Sequence, residues 1–500
     1  MNALSPIKDT KKARVGFYSI GLQAYWPQFP GLQERLTEYG QFIEQKMSAF
    51  GEIYNYGIVD SEAAGRKAGE WFNERNVDII FCHSATYSTS SNVLPVHQIC
   101  KKPVIILNMQ PTNRMNYEQT TTGEWLAHCG ACPVPEISNA FQRAGIVFRV
   151  INGLLGLSYT PAISLTNEIT ADRKEAKRAW KSIEEWIRAA GVVRTLQHSR
   201  FGFLGNTYSG MLDMYSDFTM IQAQMGIHVE VLEMCDVHDL LKSVTPDEVE
   251  AKLAEVGAMF EISDQASSDP IAKKPTDEQL QWSAKIAVAQ EKMVRKFDLD
   301  ALTYYYHGAP GSEYEQLQAG FILGHSLLTA RGIPCSGEGD LKTALAMKIC
   351  DILGTGGSFS EIVVVDYEDE TILLGHDGPF HTAISEGKPI LRGMGLYHGK
   401  QGTGISVEAK VKRGPITTLN VTQTFEGKLK LIISEGESTD GPIMRIGNTQ
   451  TPVRFNKHPD DYMEMWFAEA PTHHCAISIG HNASLFQKVG ELLNCAHVTL

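Results

Sequence analysis

The sequence predicts two Rossmann-like α/β domains followed by a β-rich, antiparallel, barrel-like C-terminal domain. A chain of 500 residues exceeds what one hydrophobic core usually serves. Apolar strands alternate with amphipathic helices up to about Thr355, which indicates parallel sheets covered on both faces. Beyond that residue the hydrophobic period becomes two, which is typical of antiparallel strands. We therefore predict domains at residues 1–197, 198–355 and 356–500.

In the first domain, the predicted strands end in polar and aromatic residues. The predicted strands are 15–20, 53–59, 77–82 and 104–107, and the predicted helices are 32–50 and 61–76. Ligands of parallel sheets bind beyond the carboxyl ends of the strands. Gln23 follows the first strand and His83 the third, which suits a hydroxyl-rich small molecule. The first strand is not followed by Gly-x-Gly-x-x-Gly, so we do not expect a dinucleotide.

The rest of the chain supplies the second α/β domain and the β-rich domain. The second domain is predicted to contain strands 201–204, 228–232 and 301–306 and helices near 246–256, 277–297 and 315–329. The third is predicted to contain strands 406–411, 417–424, 428–434 and 453–455 and a closing helix near 484–493. Glycine-containing turns separate these last strands, as in antiparallel sheets.

Composition restricts the partners and the compartment that we expect. The formal net charge of −13 argues against nucleic acid or an anionic membrane surface as the main partner. The sequence shows no signal peptide and no apolar run of membrane-spanning length. Its nine cysteines are scattered and odd in number, which suits a reducing compartment better than a disulfide framework. We expect a soluble, cytoplasmic protein.

The segment 335–376 carries three candidate metal ligands at the ends of predicted elements. Glu338 lies between two glycines, so its backbone can turn tightly and approach a ligand. Asp340 is placed to N-cap the following helix. Glu361 opens one strand of a predicted hairpin, and His376 follows the other strand. Because a hairpin brings its two ends together, we expect Glu361 and His376 to be neighbours.

A fourth candidate ligand lies in the pair His473 and His474. In an extended segment, adjacent side chains point in opposite directions, so at most one of the two is expected to be a ligand. Residue spacing does not show which of the two is the metal ligand. His381 is likewise an alternative to His376 as a metal ligand. Two glutamates and two histidines suit a divalent cation such as Mn²⁺, Co²⁺ or Mg²⁺. Each residue taken singly is better explained as an ordinary loop side chain; the set at element ends indicates a positioned site.

A Cys-x-x-Cys sequence at Cys129 and Cys132 is compatible with a redox pair or half of a zinc site. The sequence contains no second Cys-x-x-Cys, and Pro133 and Pro135 follow where a thioredoxin-like helix would begin. We therefore do not favour the redox interpretation. His128, just before this sequence, is either a ligand-binding residue or a hydrogen-bonded structural histidine.

Four motifs resemble the L-arabinose isomerase family in their order and nearly in their spacing. They are Ser-Gly-Glu-Gly-Asp-Leu-Lys-Thr-Ala, Gly-Gly-Ser-Phe-Ser-Glu, Leu-Gly-His and Thr-His-His. The resemblance is strong over about the last third of the chain and weaker before it. Where the family commonly has Ser-Gln-His-Leu-Tyr-Gly, this chain has Leu-Gln-Ala-Tyr-Trp-Pro, and where the family usually has Gly-Gly-Arg-Glu after the histidine, this chain has Cys-Gly-Ala-Cys. We therefore expect sugar contacts that differ.

The resemblance implies a Mn²⁺-type ion, with Co²⁺ or Mg²⁺ as alternatives. It implies that the ion is held by Glu338, Glu361, His376 and His474. It also implies that Gln23 and His128 hold the substrate and that the chain assembles as a trimer or hexamer.

The expected reaction is aldose–ketose isomerisation of a pentose or hexose through an ene-diol, as from L-arabinose to L-ribulose. A divalent ion polarises the sugar carbonyl, and we assign the proton transfer between C1 and C2 to Glu338 and Glu361. Two alternatives remain open from the sequence. One is another metal-dependent sugar enzyme, an epimerase or an L-fucose-type isomerase, and the other is a non-catalytic sugar-binding protein.

Overall fold

The computed structural model describes residues 5–160, 169–262, 269–394 and 404–500. It contains two compact units. One is Lys11–Arg194, and the other combines Met1–Thr10 with Thr195–Leu500. The finer division at residues 1–197, 198–355 and 356–500 stays a prediction.

The unit Lys11–Arg194 contains a five-stranded parallel sheet in the order β2-β1-β3-β4-β5. Its strands are β1 (Arg14–Ile20), β2 (Glu52–Val59), β3 (Ile79–His83), β4 (Val104–Gln110) and β5 (Phe148–Leu154). Its helices are α1 (Leu32–Met47), α2 (Glu62–Glu74), α3 (Ser90–Ile99), α4 (Thr122–Ala127), α5 (Val134–Arg143) and α6 (Lys174–Leu196). The predicted parallel sheet is confirmed. Strand β5 was not predicted, because it is an edge strand whose exposed residues break the apolar pattern.

Helices α2 and α3 of this unit pack closely because two glycines remove side chains from their contact. A Cβ on Gly65 would overlap the carbonyl oxygen of Asn92, and one on Gly69 would lie 2.8 Å from that of Val96. Ser61 begins α2 by accepting a hydrogen bond from the Ala64 amide at 3.3 Å. Ser61 therefore determines where α2 begins, and Gly65 and Gly69 determine which face of α2 packs against α3.

The second unit begins with a four-stranded parallel sheet in the order β11-β10-β6-β7. Its elements up to residue 352 are β6 (Arg200–Gly205), α7 (Phe218–Met225), β7 (His228–Leu232), α8 (Met234–Leu241), α9 (Pro246–Met259), β8 (Glu261–Ile262), β9 (Ala272–Lys273), α10 (Asp277–Lys296), β10 (Ala301–Tyr305), α11 (Glu313–Ala319), α12 (Phe321–Thr329), β11 (Cys335–Ser336) and α13 (Leu341–Ile352). The helix predicted at 315–329 is interrupted at Gly320, whose Cα approaches Ile286 so closely that a Cβ would overlap that side chain.

The same unit continues into a closed six-stranded antiparallel barrel. The remaining elements are β12 (Gly356–Asp366), β13 (Thr371–His376), β14 (Ile390–Met394), β15 (Gly404–Glu408), β16 (Gly414–Gln423), β17 (Leu429–Ser438), β18 (Thr449–Phe455), α14 (Pro459–Ala468), β19 (His474–Ile479), α15 (Ala483–Leu492) and β20 (Ala496–Thr499). The order β16-β19-β12-β13-β18-β17 closes because β17 pairs with β16, and β20 adds a parallel strand beside β17. The barrel-like prediction is confirmed.

One strand that was predicted for the β-rich domain, β15, lies instead in a small separate sheet. Strand β15 pairs with β14, and β14 also pairs with β8 and β9. These partners come from chain segments more than 100 residues before β14, so local hydrophobic period could not reveal the pairing.

Helix α13 is the element that joins the parallel sheet to the barrel. Its residues from Leu341 to Cys350 are all buried, and it packs against β10, β12 and β19.

Among the described residues, no helix is long and apolar enough to span a bilayer.

Candidate metal centre

Glu338 lies in a tight turn between β11 and α13. Its φ of 61° is in the left-handed region, where a residue with a side chain is strained. The Tyr208 amide donates to the Glu338 carbonyl at 2.9 Å, and the Gly339 amide donates to the Tyr304 carbonyl at 3.0 Å. A Cβ on Gly339 would overlap the carbonyl oxygen of Asn206, so glycine is required there. Backbone contacts thus hold the turn that carries Glu338 in place, as the flanking glycines predicted.

Asp340 fixes both the start of α13 and the ring of His474. Its Oδ1 accepts from the Thr343 amide at 3.0 Å, and its Oδ2 lies 3.0 Å from His474 Nδ1. Burial raises the pKa of Asp340, but the hydrogen bond from His474 and nearby positive charge outweigh it and lower the pKa to about 2. The ionised carboxylate can only accept, so Nδ1 of His474 donates. Nε2 of His474 then carries a lone pair, 3.6 Å from Glu338 Oε2.

The pKa of His474 is lowered to about 4, chiefly by burial, while the hydrogen bond to Asp340 acts in the opposite direction. The imidazole is therefore neutral near pH 7, which is the form that binds metal ions. Nε2 of His474 is buried and, within the described part of the chain, has no hydrogen-bond partner. A buried acceptor without a partner destabilises the fold unless a cation or a hydrogen-bond donor binds it.

His376, at the end of β13, also lies beside a carboxylate and faces Glu338. Its Nδ1 lies 3.0 Å from Asp377 Oδ1, and its Nε2 lies 4.0 Å from Glu338 Oε1. Burial lowers the pKa of His376, but the hydrogen bond and charge of Asp377, with the charges of Glu361 and Glu338, leave it raised overall. The ring packs edge-on against Phe359, with centroids 4.6 Å apart. His376 is therefore aimed at Glu338 and surrounded by negative charge.

Glu361 enters the same region from β12. In the barrel, Glu361 pairs with His474 on β19 and with Gly375 on β13, the residue before His376. The predicted hairpin is present, and it brings Glu361 beside His376. The structure thus brings Glu338, Glu361, His376 and His474 together from four elements.

His473 also faces this region, so the prediction that His473 and His474 point in opposite directions was wrong. Their ring centroids are 3.9 Å apart, and Nε2 of His473 lies 4.0 Å from Glu338 Oε2. Strand alternation does not apply, because β19 begins at His474 and His473 lies in a bend before it. His473 Nδ1 lies 2.6 Å from Oδ2 of Asp213, a residue that no sequence pattern singled out.

The donor atoms form two overlapping groups, and within each group they all lie within 4.8 Å of one another. The groups are Glu338, His376 and His474, and Glu361, His473 and His474. His381 belongs to neither group, and its backbone amide donates to Ser358 Oγ at 3.2 Å. Carboxylate oxygens and oriented imidazole nitrogens are the ligands that first-row divalent ions take in proteins. The residues present therefore fit such an ion.

The two predicted substrate residues lie in the unit Lys11–Arg194. Gln23 is exposed in a single 3₁₀ turn after β1. His128 ends α4, where Nε2 hydrogen-bonds Thr112 Oγ1 at 2.8 Å and Nδ1 hydrogen-bonds the Glu124 carbonyl at 2.9 Å. Burial lowers the pKa of His128, so the ring is neutral near pH 7. These contacts are those expected of a hydrogen-bonded structural histidine. A substrate-binding role for Gln23 or His128 stays a prediction.

The structure gives no support to a redox role for Cys129 and Cys132. Both thiols are free. The pKa of Cys129 is raised to about 11, first by burial and then by neighbouring Cys132. A thiol with a raised pKa is a weak nucleophile at neutral pH.

Comparisons with known proteins bear on the family of the chain. Residues 215–356 match the L-arabinose isomerase central domain. The L-arabinose isomerase of Aeromonas salmonicida (strain A449) is 21% identical over 293 residues, which is 56% of this chain and 55% of that protein. That of Aeromonas hydrophila subsp. hydrophila is 19% identical over 356 residues, 68% and 67% of the two chains. That of Shouchella clausii (strain KSM-K16) is 22% identical over 323 residues, 63% of each.

The matched region thus spans between about half and two thirds of the length of these relatives. A solute-binding protein of an ABC transporter from Agrobacterium vitis, bound with alpha-D-tagatopyranose, aligns over 65% of this chain and 93% of that chain at 11% identity. Its TM-score of 0.16 is too low to show a shared fold. The match to the central domain and the low but repeated identity to L-arabinose isomerases support a divergent member of the L-arabinose isomerase family.

Proposed function

We propose that the protein is a metal-dependent aldose–ketose isomerase acting on a pentose or hexose, L-arabinose or a related sugar. The observation that carries the proposal is the convergence of Glu338, Glu361, His376 and His474 on one region, with carboxylates behind both imidazoles. The names of the relatives supply the reaction class. We propose Mn²⁺ as the ion, with Co²⁺ or Mg²⁺ as alternatives.

The chemistry divides between the ion and the side chains. When bound, the divalent ion polarises the sugar carbonyl and stabilises the negative charge of the ene-diolate. Glu338 and Glu361 hold the ion and share the proton transfer, in which the proton leaves C2 of the aldose and returns at C1. His376 and His474 hold the ion through Nε2, and Asp340 keeps His474 in the required tautomer.

The remaining parts of the proposal concern binding and assembly. We propose that Gln23 and His128 contact the sugar hydroxyls and that the chain works as a trimer or hexamer in the cytoplasm. For His128, this requires that Thr112 or Glu124 yield its hydrogen bond to the sugar, because both ring nitrogens are engaged.

A turnover assay on a panel of pentoses and hexoses tests the proposal. The protein is treated with chelator, dialysed, and assayed with and without added Mn²⁺, and the products are separated by chromatography. We expect an aldose to be converted into its 2-ketose only when the ion is present. An epimeric aldose as product would favour an epimerase. Sugar binding without any turnover in the Mn²⁺-loaded protein would favour a non-catalytic sugar-binding protein.

A further inference from the structure

His473 is the imidazole of this region that the proposed centre does not use. Its donor nitrogen lies within 4.8 Å of the donor atoms of Glu361 and His474. We propose that His473 is a third imidazole ligand of the divalent centre and that Asp213 is the residue that positions it. This inference rests on the metal centre of the proposed function.

Asp213 controls both the backbone and the ring of His473. One carboxylate oxygen, Oδ2, accepts from the backbone amide of His473 at 3.0 Å and meets its Nδ1 at 2.6 Å. Two contacts to one oxygen fix the ring plane relative to the backbone. They also leave Nε2 as the atom that faces Glu338, 4.0 Å from its Oε2.

At each of the three histidines of the region, a carboxylate oxygen lies close to Nδ1, and at His473 and His474 the contact is a hydrogen bond. The carboxylates behind Nδ1 belong to Asp377 for His376, Asp213 for His473 and Asp340 for His474, at 3.0, 2.6 and 3.0 Å. The Nε2 atoms lie 4.0, 4.0 and 3.6 Å from the carboxylate oxygens of Glu338. Ligands held about 2.1 Å from one ion are separated by roughly 3 to 4 Å, so each of these separations is compatible with two ligands of one ion. His376 and His473 belong to different donor groups, which share His474. A carboxylate behind the far nitrogen is the usual support of a metal-ligating histidine.

The segment that carries Asp213 is itself anchored to the centre. Lys342, two residues after Asp340 on α13, is buried, and its Nζ donates to the Tyr215 carbonyl and to Ser216 Oγ, each at 3.2 Å. The start of α13 therefore supports His474 through Asp340 and the Asp213 segment through Lys342. This shared anchor keeps His473 and His474 in a fixed relation.

The simpler interpretation is that Asp213 and His473 form an ordinary surface ion pair. Their side chains are 38% and 35% exposed, which is compatible with it. A surface ion pair, however, does not require the ring of His473 to lie against that of His474. Nor does it require Nε2 of His473 to be directed at the Glu338 carboxylate. The two interpretations differ in one measurable property, the affinity of the protein for metal ions.

A third imidazole also changes which ions the centre prefers. Imidazole nitrogen favours late first-row ions such as Co²⁺ and Ni²⁺, whereas Mg²⁺ prefers oxygen. We therefore expect Co²⁺ binding to depend on Asp213 and His473, and Mg²⁺ binding to depend on them much less.

The test measures Co²⁺ binding to the full chain by titration calorimetry after chelation, in wild type, Asp213→Ala, Asp213→Asn and His473→Gln. We expect Asp213→Ala and His473→Gln to weaken Co²⁺ binding about 10–100-fold. Asp213→Asn keeps an acceptor oxygen and should recover part of the loss. His458→Gln is the matched control, since His458 lies 3.8 Å from Asp460 and in neither donor group. Its Co²⁺ affinity should equal that of wild type.

Pulsed EPR of the Mn²⁺-loaded protein gives a second measurement that a merely structural role would not change. The number of coupled imidazole nitrogens should fall from three to two in His473→Gln. Co²⁺ affinity within twofold of wild type in both Asp213→Ala and His473→Gln would overturn the inference. If Asp213→Ala does not fold, His473→Gln alone decides. A wild-type protein that binds no divalent ion would instead overturn the proposed function.

Discussion

Asp340 and His474, which are 134 residues apart in the chain, are joined by a 3.0 Å hydrogen bond between Oδ2 and Nδ1. The same carboxylate begins α13 by accepting from the amide of Thr343. One buried side chain therefore starts a helix and sets the tautomer of an imidazole on a barrel strand. The link ties the folding of the second unit to the state of the candidate metal centre.

Asp340→Asn should reverse the tautomer of His474. An asparagine has one acceptor oxygen, and the amide of Thr343 uses it, so the NH₂ group faces His474 and donates to Nδ1. The imidazole proton then moves to Nε2, the atom that faces Glu338. We expect Mn²⁺ affinity, measured by EPR titration, to fall about 10–100-fold, while α13 keeps its cap. Asp217→Asn, a change at the N-cap of α7, is the control and should leave the affinity unchanged. An Asp340→Asn protein that binds Mn²⁺ as wild type does would contradict this account.

Glu338→Gln and Glu361→Gln should each remove the proton transfer without unfolding the protein. A positioned acid or base contributes about 10²–10⁴-fold to a rate, so we expect turnover to fall at least that far. Circular dichroism should remain that of wild type, since neither change alters the backbone. Glu368→Gln, in the exposed turn of the hairpin that carries Glu361, is the control and should keep full turnover. Wild-type turnover in either active-site variant would exclude that glutamate from the mechanism.

Local parts of the centre could be predicted from the sequence. The glycines around Glu338 indicate a tight turn, and a hairpin necessarily brings Glu361 beside His376. The direction of His473 could not be predicted, because it depends on whether β19 begins one residue earlier or later. Asp213 could not be found either, because its contact with His473 spans 260 residues.

The same distinction holds for the fold. The periods of the hydrophobic pattern predict the parallel sheets and the antiparallel barrel, because the apolar residues of each element follow the faces that it buries. The pairing of β14 with β8 and β9 depends on which distant edges meet, and hydrophobic period does not carry that information.

Glu338→Gly should stabilise the metal-free protein while removing its ion. Glu338 has a φ of 61°, and Glu370, in the turn of the β12–β13 hairpin, has a φ of 50°. Glycine relieves left-handed strain of about 1–2 kcal/mol per residue, and its greater freedom in the unfolded chain offsets part of this gain. We expect both Glu338→Gly and Glu370→Gly to raise the free energy of unfolding in chelator by about 1 kcal/mol or less. Only Glu338→Gly should lose Mn²⁺ binding. A Glu338→Gly protein less stable than wild type in chelator would show that the turn is not strained.

His325 should make stability fall in mild acid. Its ring is fully buried on α12 against Tyr304 and Phe321, and within the described chain neither ring nitrogen has a hydrogen-bond partner. Burial lowers the pKa of His325 to about 3, whereas an unfolded histidine has a pKa of about 6.5. Between these values the unfolded chain binds a proton that the folded chain does not, so stability is lost as the pH falls from about 6.5 toward 3.

His325→Leu removes this proton uptake and keeps an apolar side chain in the same place. Between pH 7 and pH 5, the free energy of unfolding of wild type should fall by about 2 kcal/mol more than that of the variant. Urea denaturation in chelator measures this difference without a contribution from metal release. Other buried histidines, such as His83 and His97, are common to both proteins and cancel. Equal pH dependence in wild type and His325→Leu would mean that the folded protein admits the proton, and that α12 opens to water below pH 6.5.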